Sequence, residues 1–274
     1  MATLGQIVFC SMITLIIIFG AAIILILALS FSGQLSEVKS NDVTPVANLG
    51  DDQLLSCFQN SEVKPAQFTN MAVSWEKTGL TGSVYQYSAG APTLLDQAPQ
   101  FKGRTQLFPD ALLAGNASLL LRSVRPSDAG EYTCSLSSSA GSGRVKIQLQ
   151  TAAYSAPAFS LESGALVAVA PRWFPKPRVA WSDFFGTVLN GSTSFVESSV
   201  GVFKVVSALR PITVGETYTC RIQNDLVTGV SKATVTAGSG VEAKTYFTFN
   251  AASSLLTSTH LSMMTSVLCI YYLT

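Results

Sequence analysis

The hydrophobic and polar positions of this chain follow three different patterns along its length. Residues 7–31 are almost entirely apolar, and residues 261–274 form a second, mainly apolar run. Between these runs, short segments alternate apolar and polar side chains, which is typical of β-strands with one buried face. The segments are DQLLSCF (52–58), NMAVSWEK (70–77), ASLLLRSV (117–124), EYTCSL (131–136) and RVKIQLQ (144–150). No sustained helical stripe occurs between residues 35 and 245, so the pattern predicts an all-β fold.

The N-terminal apolar segment, within residues 1–32, sends the chain into the secretory pathway. The segment is long enough to span a bilayer and longer than most signal-peptide cores. Small residues at Ala28, Ser30 and Ser32 favour a cleaved signal peptide, with an uncleaved signal anchor as the alternative. In both cases the alternating middle of the chain leaves the cytoplasm.

The C-terminal end has the order of a lipid-attachment signal. A polar stem is expected over residues 239–250, followed by small residues at 250–252, a polar spacer and the apolar run. This order is typical of a glycosylphosphatidylinositol signal within residues 251–274, with attachment at Asn250. The alternative is a short transmembrane segment, although about 20 apolar residues are normally needed to span a bilayer. We expect the protein on the extracellular face of the plasma membrane.

A Tyr-x-Cys motif occurs twice, in DAGEYTC (128–134) and in GETYTC (215–220). A tyrosine two residues before a cysteine marks the start of strand F in an immunoglobulin sandwich. In that fold the strand F cysteine bridges to strand B, and a strand C tryptophan packs on the bridge. The motifs therefore predict two tandem immunoglobulin-like β-sandwiches, one over residues 35–151 and one over residues 152–238. The wide gap between Cys57 and Cys134 leaves room for two extra strands and favours the variable type for the first domain.

The two predicted domains differ in their cysteines. The first has the full set expected of the fold: a disulfide between Cys57 and Cys134, with Trp75 as core tryptophan and Tyr132 as tyrosine corner. The second has Trp181, Tyr218 and Cys220, but Ala168 stands where the strand B cysteine is expected. Cys220 is therefore predicted to be an unpaired, buried thiol, with an intermolecular disulfide as the alternative.

Four further residues have expected roles in the folded ectodomain. Arg104 resembles the arginine that pairs with the tyrosine-corner aspartate in variable-type domains, which here is Asp128. This pair is expected to be a structural salt bridge. Asn116 and Asn190 begin Asn-x-Ser sequons in apparent turns and are expected to be glycosylated.

Composition and motifs argue against catalysis and against nucleic-acid binding. The formal net charge is +1, which gives no field for nucleic acid or for an anionic membrane. The single histidine, His260, lies in the predicted tail, so a His-dependent nucleophile or metal site is excluded from the mature form. No phosphate loop, dinucleotide fingerprint or hydrolase elbow occurs, so we expect no enzyme activity, no cofactor and no small-molecule substrate.

Several longer segments together resemble one family. They are MATLGQIVF, FKGRTQLF, GNASLLLRSV, DAGEYTC, APRWFPKPRVAW and TYTCRIQND, and they are similar to the butyrophilin-related family of immunoglobulin-type T-cell co-signalling ligands. The resemblance implies a membrane-distal variable-type domain, a membrane-proximal constant-type domain and an inhibitory signal given to T cells through a protein receptor. Ala168 and the C-terminal tail depart from the family pattern.

The expected mechanism is presentation of the front sheet of the first domain to a receptor in trans, with the second domain as a spacer. Aromatic and arginine side chains tend to anchor interfaces. The residues predicted on the outer phase of that sheet are Glu76, Tyr85, Tyr87, Ser137 and Arg144. The alternative function is a homophilic or heterophilic adhesion molecule, and a receptor that signals inward is disfavoured because no cytoplasmic segment follows Thr274.

Overall fold

A computed structural model describes residues 15–16, 18–26, 37–59, 70–139, 141–238 and 240–250. The chain divides into two compact units. The first comprises residues up to Val43 together with Gly50–Val124 and Ala129–Leu149, and the second comprises Thr44–Leu49, Arg125–Asp128 and the chain from Gln150 onward. The all-β prediction is confirmed, because strands make up almost all of the regular structure in both units.

The strands of the first part of the chain are short near its start and long near its end. They are β1 (Val38–Lys39), β2 (Val46–Asn48), β3 (Gln53–Leu55), β4 (Phe58–Gln59), β5 (Ala72–Lys77), β6 (Tyr85–Ser88), β7 (Ala91–Pro92), β8 (Thr105–Gln106), β9 (Leu119–Leu121), β10 (Gly130–Ser138) and β11 (Gly141–Ala152). One helical turn, Pro109–Leu112, and two 3₁₀ turns, Pro99–Phe101 and Pro126–Asp128, connect them.

These strands form one large sheet and two small ones. The large sheet has the order β2-β11-β10-β5-β6-β7, and the others are β3-β9-β8 and β1-β4. Strands β10 and β11 pair antiparallel along their length, and β10 also pairs with β5. The last residues of β11 pair in parallel with β2.

The core of the first unit is built around Trp75, which is fully buried. Its indole nitrogen donates a hydrogen bond of 3.0 Å to the carbonyl of Ala117. The predicted disulfide between Cys57 and Cys134 is present, with an S–S distance of 2.02 Å and a Cα–Cα distance of 6.5 Å. Leu55, Leu119, Leu121 and Leu136 are also buried. The alternation that predicts these strands therefore also predicts which of their side chains are buried.

The described part of the second unit contains nine further strands. They are β12 (Ala158–Glu162), β13 (Ala165–Trp173), β14 (Arg178–Ser182), β15 (Val188–Leu189), β16 (Gly191–Glu197), β17 (Phe203–Leu209), β18 (Thr217–Gln223), β19 (Val227–Val235) and β20 (Val241–Phe249). They form two sheets, ordered β12-β13-β17-β16 and β15-β14-β18-β19-β20. All strand pairs in these two sheets are antiparallel.

The core of the second unit lies around Trp181, whose indole nitrogen donates a hydrogen bond of 2.8 Å to the Ser207 hydroxyl. Ala168 and Cys220 belong to the same buried cluster, and the Cys220 thiol is free. Burial raises the pKa of Cys220 to about 12. At physiological pH this thiol is therefore protonated and unreactive.

The expected stem over residues 239–250 is wrong for most of its length. Val241–Phe249 forms β20, which pairs residue by residue with β19 from Val235↔Val241 to Val227↔Phe249. The polar residues of this segment alternate with apolar ones, and the alternation belongs to a strand rather than to a linker.

The chain termini are only partly described. Residues 18–26 of the predicted signal segment are helical. None of the helices in the described part of the chain combines the length and the apolar character needed to cross a bilayer. The predicted attachment segment 251–274, with His260, lies outside the described residues, as does most of the predicted signal segment.

Candidate functional site: the outer face of the large sheet

The side of the large sheet that faces away from Trp75 is the candidate functional site. Residues directly opposite in neighbouring strands lie on the same face, so the strand register assigns every side chain to one side. Trp75 and Cys134 are register partners and fully buried, which makes their side the inner one. We call the opposite side the outer face; across β5, β6, β10 and β11 it comprises Ala72, Ser74, Glu76, Gln86, Glu131, Thr133, Ser135, Ser137, Ser142, Arg144, Lys146 and Gln148.

Small hydroxyl side chains are the most frequent type on the outer face. One row across the sheet runs Arg144, Ser135, Ser74 and Gln86, as the register gives it. These residues belong to the lining of a groove of about 790 Å³, together with Ser137 and Ser142. Small side chains along the strands leave this volume open, so the face offers a concave surface with many hydrogen-bonding groups.

Three of the four charged side chains named on the outer face already have a hydrogen-bond partner. The Lys146 ammonium lies 3.0 Å from a carboxylate oxygen of Glu131, and the Thr78 hydroxyl donates to the same oxygen at 3.1 Å. The hydrogen bond from Lys146, with a smaller contribution from Thr78, lowers the pKa of Glu131 below its usual range. The Ser74 hydroxyl donates to Glu76 at 3.1 Å.

Arg144 is different from these groups. Its side chain is exposed at the border of the groove, and within the described part of the chain its guanidinium makes no ion pair. An arginine presents five donors in a rigid fork that fits a carboxylate. It is the cation of the outer face that is available to a partner.

Two of the five predicted contact residues do not lie on the outer face. Tyr85 is the register partner of Trp75, and Tyr87 is the partner of Val73, so both tyrosines belong to the inner phase. Tyr85 is buried, and this burial raises its pKa. The prediction that Tyr85 projects outward is wrong, because Gln86 takes the outward position. Tyr87 is half-buried and is one of the residues that line the groove. Glu76, Ser137 and Arg144 do lie on the outer face and are exposed.

Sequence reasoning missed Ser74, Ser135 and Gln86 on this face. The outward position of the two serines could be predicted from the alternation of the strand, since each lies one residue from a core position, Trp75 or Cys134. For Gln86 it is not, because the phase of β6 depends on its register with β5.

Comparisons with known proteins agree with this architecture. Residues 41–151 match the model of the immunoglobulin V-set domain. Over 245 residues the chain is 38% identical to V-set domain-containing T-cell activation inhibitor 1 of Rattus norvegicus, covering 86% of each chain. The chain belongs to the butyrophilin-related family of this inhibitor.

The chain is also similar to two further proteins. Human butyrophilin-like protein 2 is 28% identical over 185 residues, which cover 65% of this chain and 38% of that protein. The crystal structure of the human B7-H4 IgV-like domain is 32% identical, with a TM-score of 0.37, and covers 42% of this chain and 96% of that domain.

The two tyrosine corners of this family member are both buried. Tyr132 is fully buried, with its ring edge-on to Phe101 at 6.3 Å. The Tyr218 hydroxyl accepts a hydrogen bond of 2.8 Å from the Thr213 amide, five residues upstream. A bond from this hydroxyl back to the upstream backbone is the geometry that defines the corner.

The other predicted residues lie at defined positions. Arg104 is buried and donates to the carbonyls of Gln100, Arg122 and Ser123. Asp128 is also buried and accepts a hydrogen bond from the Arg125 amide. The salt bridge between Arg104 and Asp128 stays a prediction. Asn116, Asn190 and Asn250 are exposed, and they follow the short helix, β15 and β20 respectively. No three His, Cys, Asp or Glu side chains among the described residues are grouped to bind a metal ion.

Proposed function

We propose that this protein is a cell-surface ligand that binds a protein receptor on T cells in trans and thereby inhibits T-cell activation. The observation that carries the proposal is the 38% identity, over 86% of both chains, to a protein named for the inhibition of T-cell activation. The similarity covers 86% of the chain and therefore extends beyond the V-set match at residues 41–151.

The outer face supports the proposal as the surface of contact. Interfaces between proteins place hydrogen-bonding groups around a few anchoring contacts, and arginine is one of the residues that most often anchor them. The groove supplies hydroxyl groups from Ser74, Ser135 and Ser137, and Arg144 supplies the cation. We expect the receptor to place a carboxylate opposite Arg144 and a side chain in the groove. No catalytic step is part of this function.

The remaining parts of the chain have supporting roles in the proposal. Residues 35–151 form the receptor-binding variable-type domain, and a constant-type domain that begins at residue 152 acts as a spacer. The chain is held on the extracellular face of the plasma membrane by the segment after Asn250, through a lipid or a short helix. Glycans on Asn116 and Asn190 are consistent with this location, because both side chains are exposed.

The proposal is tested by displaying the full chain on cells and measuring interleukin-2 release from T cells stimulated on them. We expect the parent chain to reduce the release. We expect Arg144→Glu to reverse this inhibition, because the substitution removes the guanidinium and places a carboxylate opposite the receptor's own. A loss of about 1.4 kcal/mol in binding corresponds to a tenfold weaker complex.

A matched control is Arg122→Glu, which makes the same charge change on an exposed arginine just after β9, outside the large sheet. We expect this variant to inhibit T cells as the parent does. A second variant, Ser135→Tyr, fills the groove without changing the charge and is expected to weaken inhibition. If Arg122→Glu and Arg144→Glu have equal effects at equal surface levels, the outer face is not the contact surface.

A further inference from the structure

The last strand of the second unit lies at an open edge of its sheet. In the order β15-β14-β18-β19-β20, β20 pairs with β19 on one side. No other strand in the described part of the chain pairs with its second side. Most of its residues are exposed, including Tyr246 and Phe249 at about half of their maximal area.

The position of β20 is fixed by side-chain contacts with β19 on the inner face. The hydroxyls of Thr245 and Ser231 are hydrogen-bonded at 2.8 Å. Gly229 lies opposite Phe247, and a Cβ atom on this glycine would be only 3.0 Å from the phenylalanine ring. The absence of a side chain at Gly229 therefore allows Phe247 to pack on β19. This contact makes β20 an integral strand of the sheet.

The backbone hydrogen bonds show which groups of β20 face the open edge. Antiparallel strands alternate between hydrogen-bonded and non-hydrogen-bonded residue pairs. The amide of Asn250 donates to Leu226, and the amide of Thr236 donates to Gly240, so the pairs that bond to β19 contain the even-numbered residues of β20. The amides and carbonyls of the odd-numbered residues, Val241 to Phe249, therefore point away from β19.

Proteins usually protect such an edge against pairing with another strand. The common means are prolines, bulges, very short strands and charged side chains. β20 has nine residues, contains no proline, and pairs with β19 in an unbroken register without a bulge. Its charged residues are Glu242 and Lys244, both near its start. Among the described residues, most of the length of this edge thus lacks these protections.

We propose that β20 is a self-association site, at which β20 of a second copy of this chain pairs antiparallel with it, centred on Thr245. In this register the odd-numbered residues of both strands face each other, so that each open amide meets an open carbonyl. The side-chain partners are Val241 with Phe249, Ala243 with Phe247, Lys244 with Tyr246 and Glu242 with Thr248.

The side chains distinguish this register from its neighbours. A centre one residue earlier would place Lys244 directly opposite Lys244 of the other copy, and like charges in this position are destabilising. A centre two residues earlier would leave the aromatic end of β20 unpaired. The centre on Thr245 pairs all of β20 and lays the Lys244 stem along the Tyr246 ring.

The test uses two differently tagged full-length chains, Glu242→Cys and Thr248→Cys, both in a Cys10→Ser, Cys269→Ser background. The two substituted residues are a non-hydrogen-bonded pair in the proposed register, with Cα atoms about 4.5 Å apart, which a disulfide can bridge. The same residue in two copies would be about 20 Å apart along the strand. After mild oxidation with diamide of cells that express both chains, we expect a reducible dimer that carries both tags.

Each chain expressed alone is expected to give no such dimer. Absence of the mixed dimer, or dimers of equal amount from the single chains, would overturn the proposal. Ala243→Pro removes an amide that faces the open edge and none that bonds to β19, so it is expected to abolish the mixed dimer. Ala243→Ser keeps the amide and is expected to retain it. If the proline variant fails to reach the surface, the paired cysteines alone decide the outcome.

Discussion

A cysteine at position 168 is expected to complete the missing disulfide of the second unit. Ala168 in β13 is 1% exposed and lies in one buried cluster with Cys220 and Trp181. Cys220 is the register partner of Trp181, just as Cys134 is the partner of Trp75 in the first unit. The sulfur of Cys220 therefore has the place beside its tryptophan that Cys134 uses for its bridge to Cys57.

The size of the effect follows from the loop that the bridge would close. Between positions 168 and 220 the loop has about 50 residues, for which loss of chain entropy in the unfolded state gives about 4 kcal/mol. Inserting a sulfur atom into a filled core costs about 1–3 kcal/mol. We expect Ala168→Cys to stabilise the second unit by about 1–3 kcal/mol when it is oxidised.

Hydrogen exchange of the full chain, read by mass spectrometry, measures this stability separately for each unit. Peptides that cover β13 and β18 are expected to exchange roughly 5- to 150-fold more slowly in the oxidised variant. The control Ala168→Cys/Cys220→Ala keeps the added sulfur without a partner and is expected to exchange faster than the parent. Two free thiols at positions 168 and 220 after oxidation, or a bridge that leaves exchange unchanged, would refute the reasoning.

Three further predictions concern single side chains. Gly191→Ala keeps the Asn-x-Ser sequon but places a Cβ atom 2.4 Å from the Trp181 ring, so we expect a loss of about 1–3 kcal/mol by the same exchange measurement, with no loss in Ser194→Ala. Cys220, whose pKa burial raises to about 12, is expected to resist iodoacetamide at pH 8 in the native chain and to react after denaturation. Lys146→Met is expected to raise the pKa of Glu131 towards its ordinary value in an NMR titration, because it removes the hydrogen bond that lowers this pKa.

Each of these predictions has an outcome that would contradict it. Equal exchange in Gly191→Ala and Ser194→Ala would mean that the Trp181 ring can move aside at no cost. Rapid native labelling of Cys220 would mean that the core around it opens readily. For Glu131 the sign is fixed by its lowered pKa: its stabilising contribution is present above the unfolded pKa and is lost as the pH falls through the folded one, so an unchanged pKa in Lys146→Met would contradict the pairing.

The sequence predicts the strands and cores well because the signals for them are local. Alternation places Trp75 and Cys134 inward without any knowledge of their neighbours, and the Tyr-x-Cys spacing indicates which strand is F. The face of β6 was not predictable in this way. Tyr85 and Tyr87 flank Gln86 in a segment that alternates in either phase, and only its register with β5 shows that Tyr85 is the partner of the core residue Trp75 and that Gln86 points outward.

Strand β20 was not predicted for a different reason. Its segment, VEAKTYFTF, does alternate, but it follows the glycines and polar residues around position 238 and precedes the predicted tail, so its polar positions suggested a stem. What stabilises it as a strand is Gly229 on β19, which makes room for Phe247. A contact of this kind joins residues that no short sequence window contains together.

The composition of the outer face has a consequence for the receptor. Serine and threonine hydroxyls remain hydrated in the free protein, and these short side chains lose little rotamer entropy when they become ordered in a complex. They provide hydrogen bonds but little apolar area. If the outer face is the contact surface, the large side chains that anchor the complex come from the receptor and enter the groove beside Ser135, with Arg144 setting their orientation. Substituting Ser135 by a larger residue would then weaken binding more than substituting Gln86 by a smaller one.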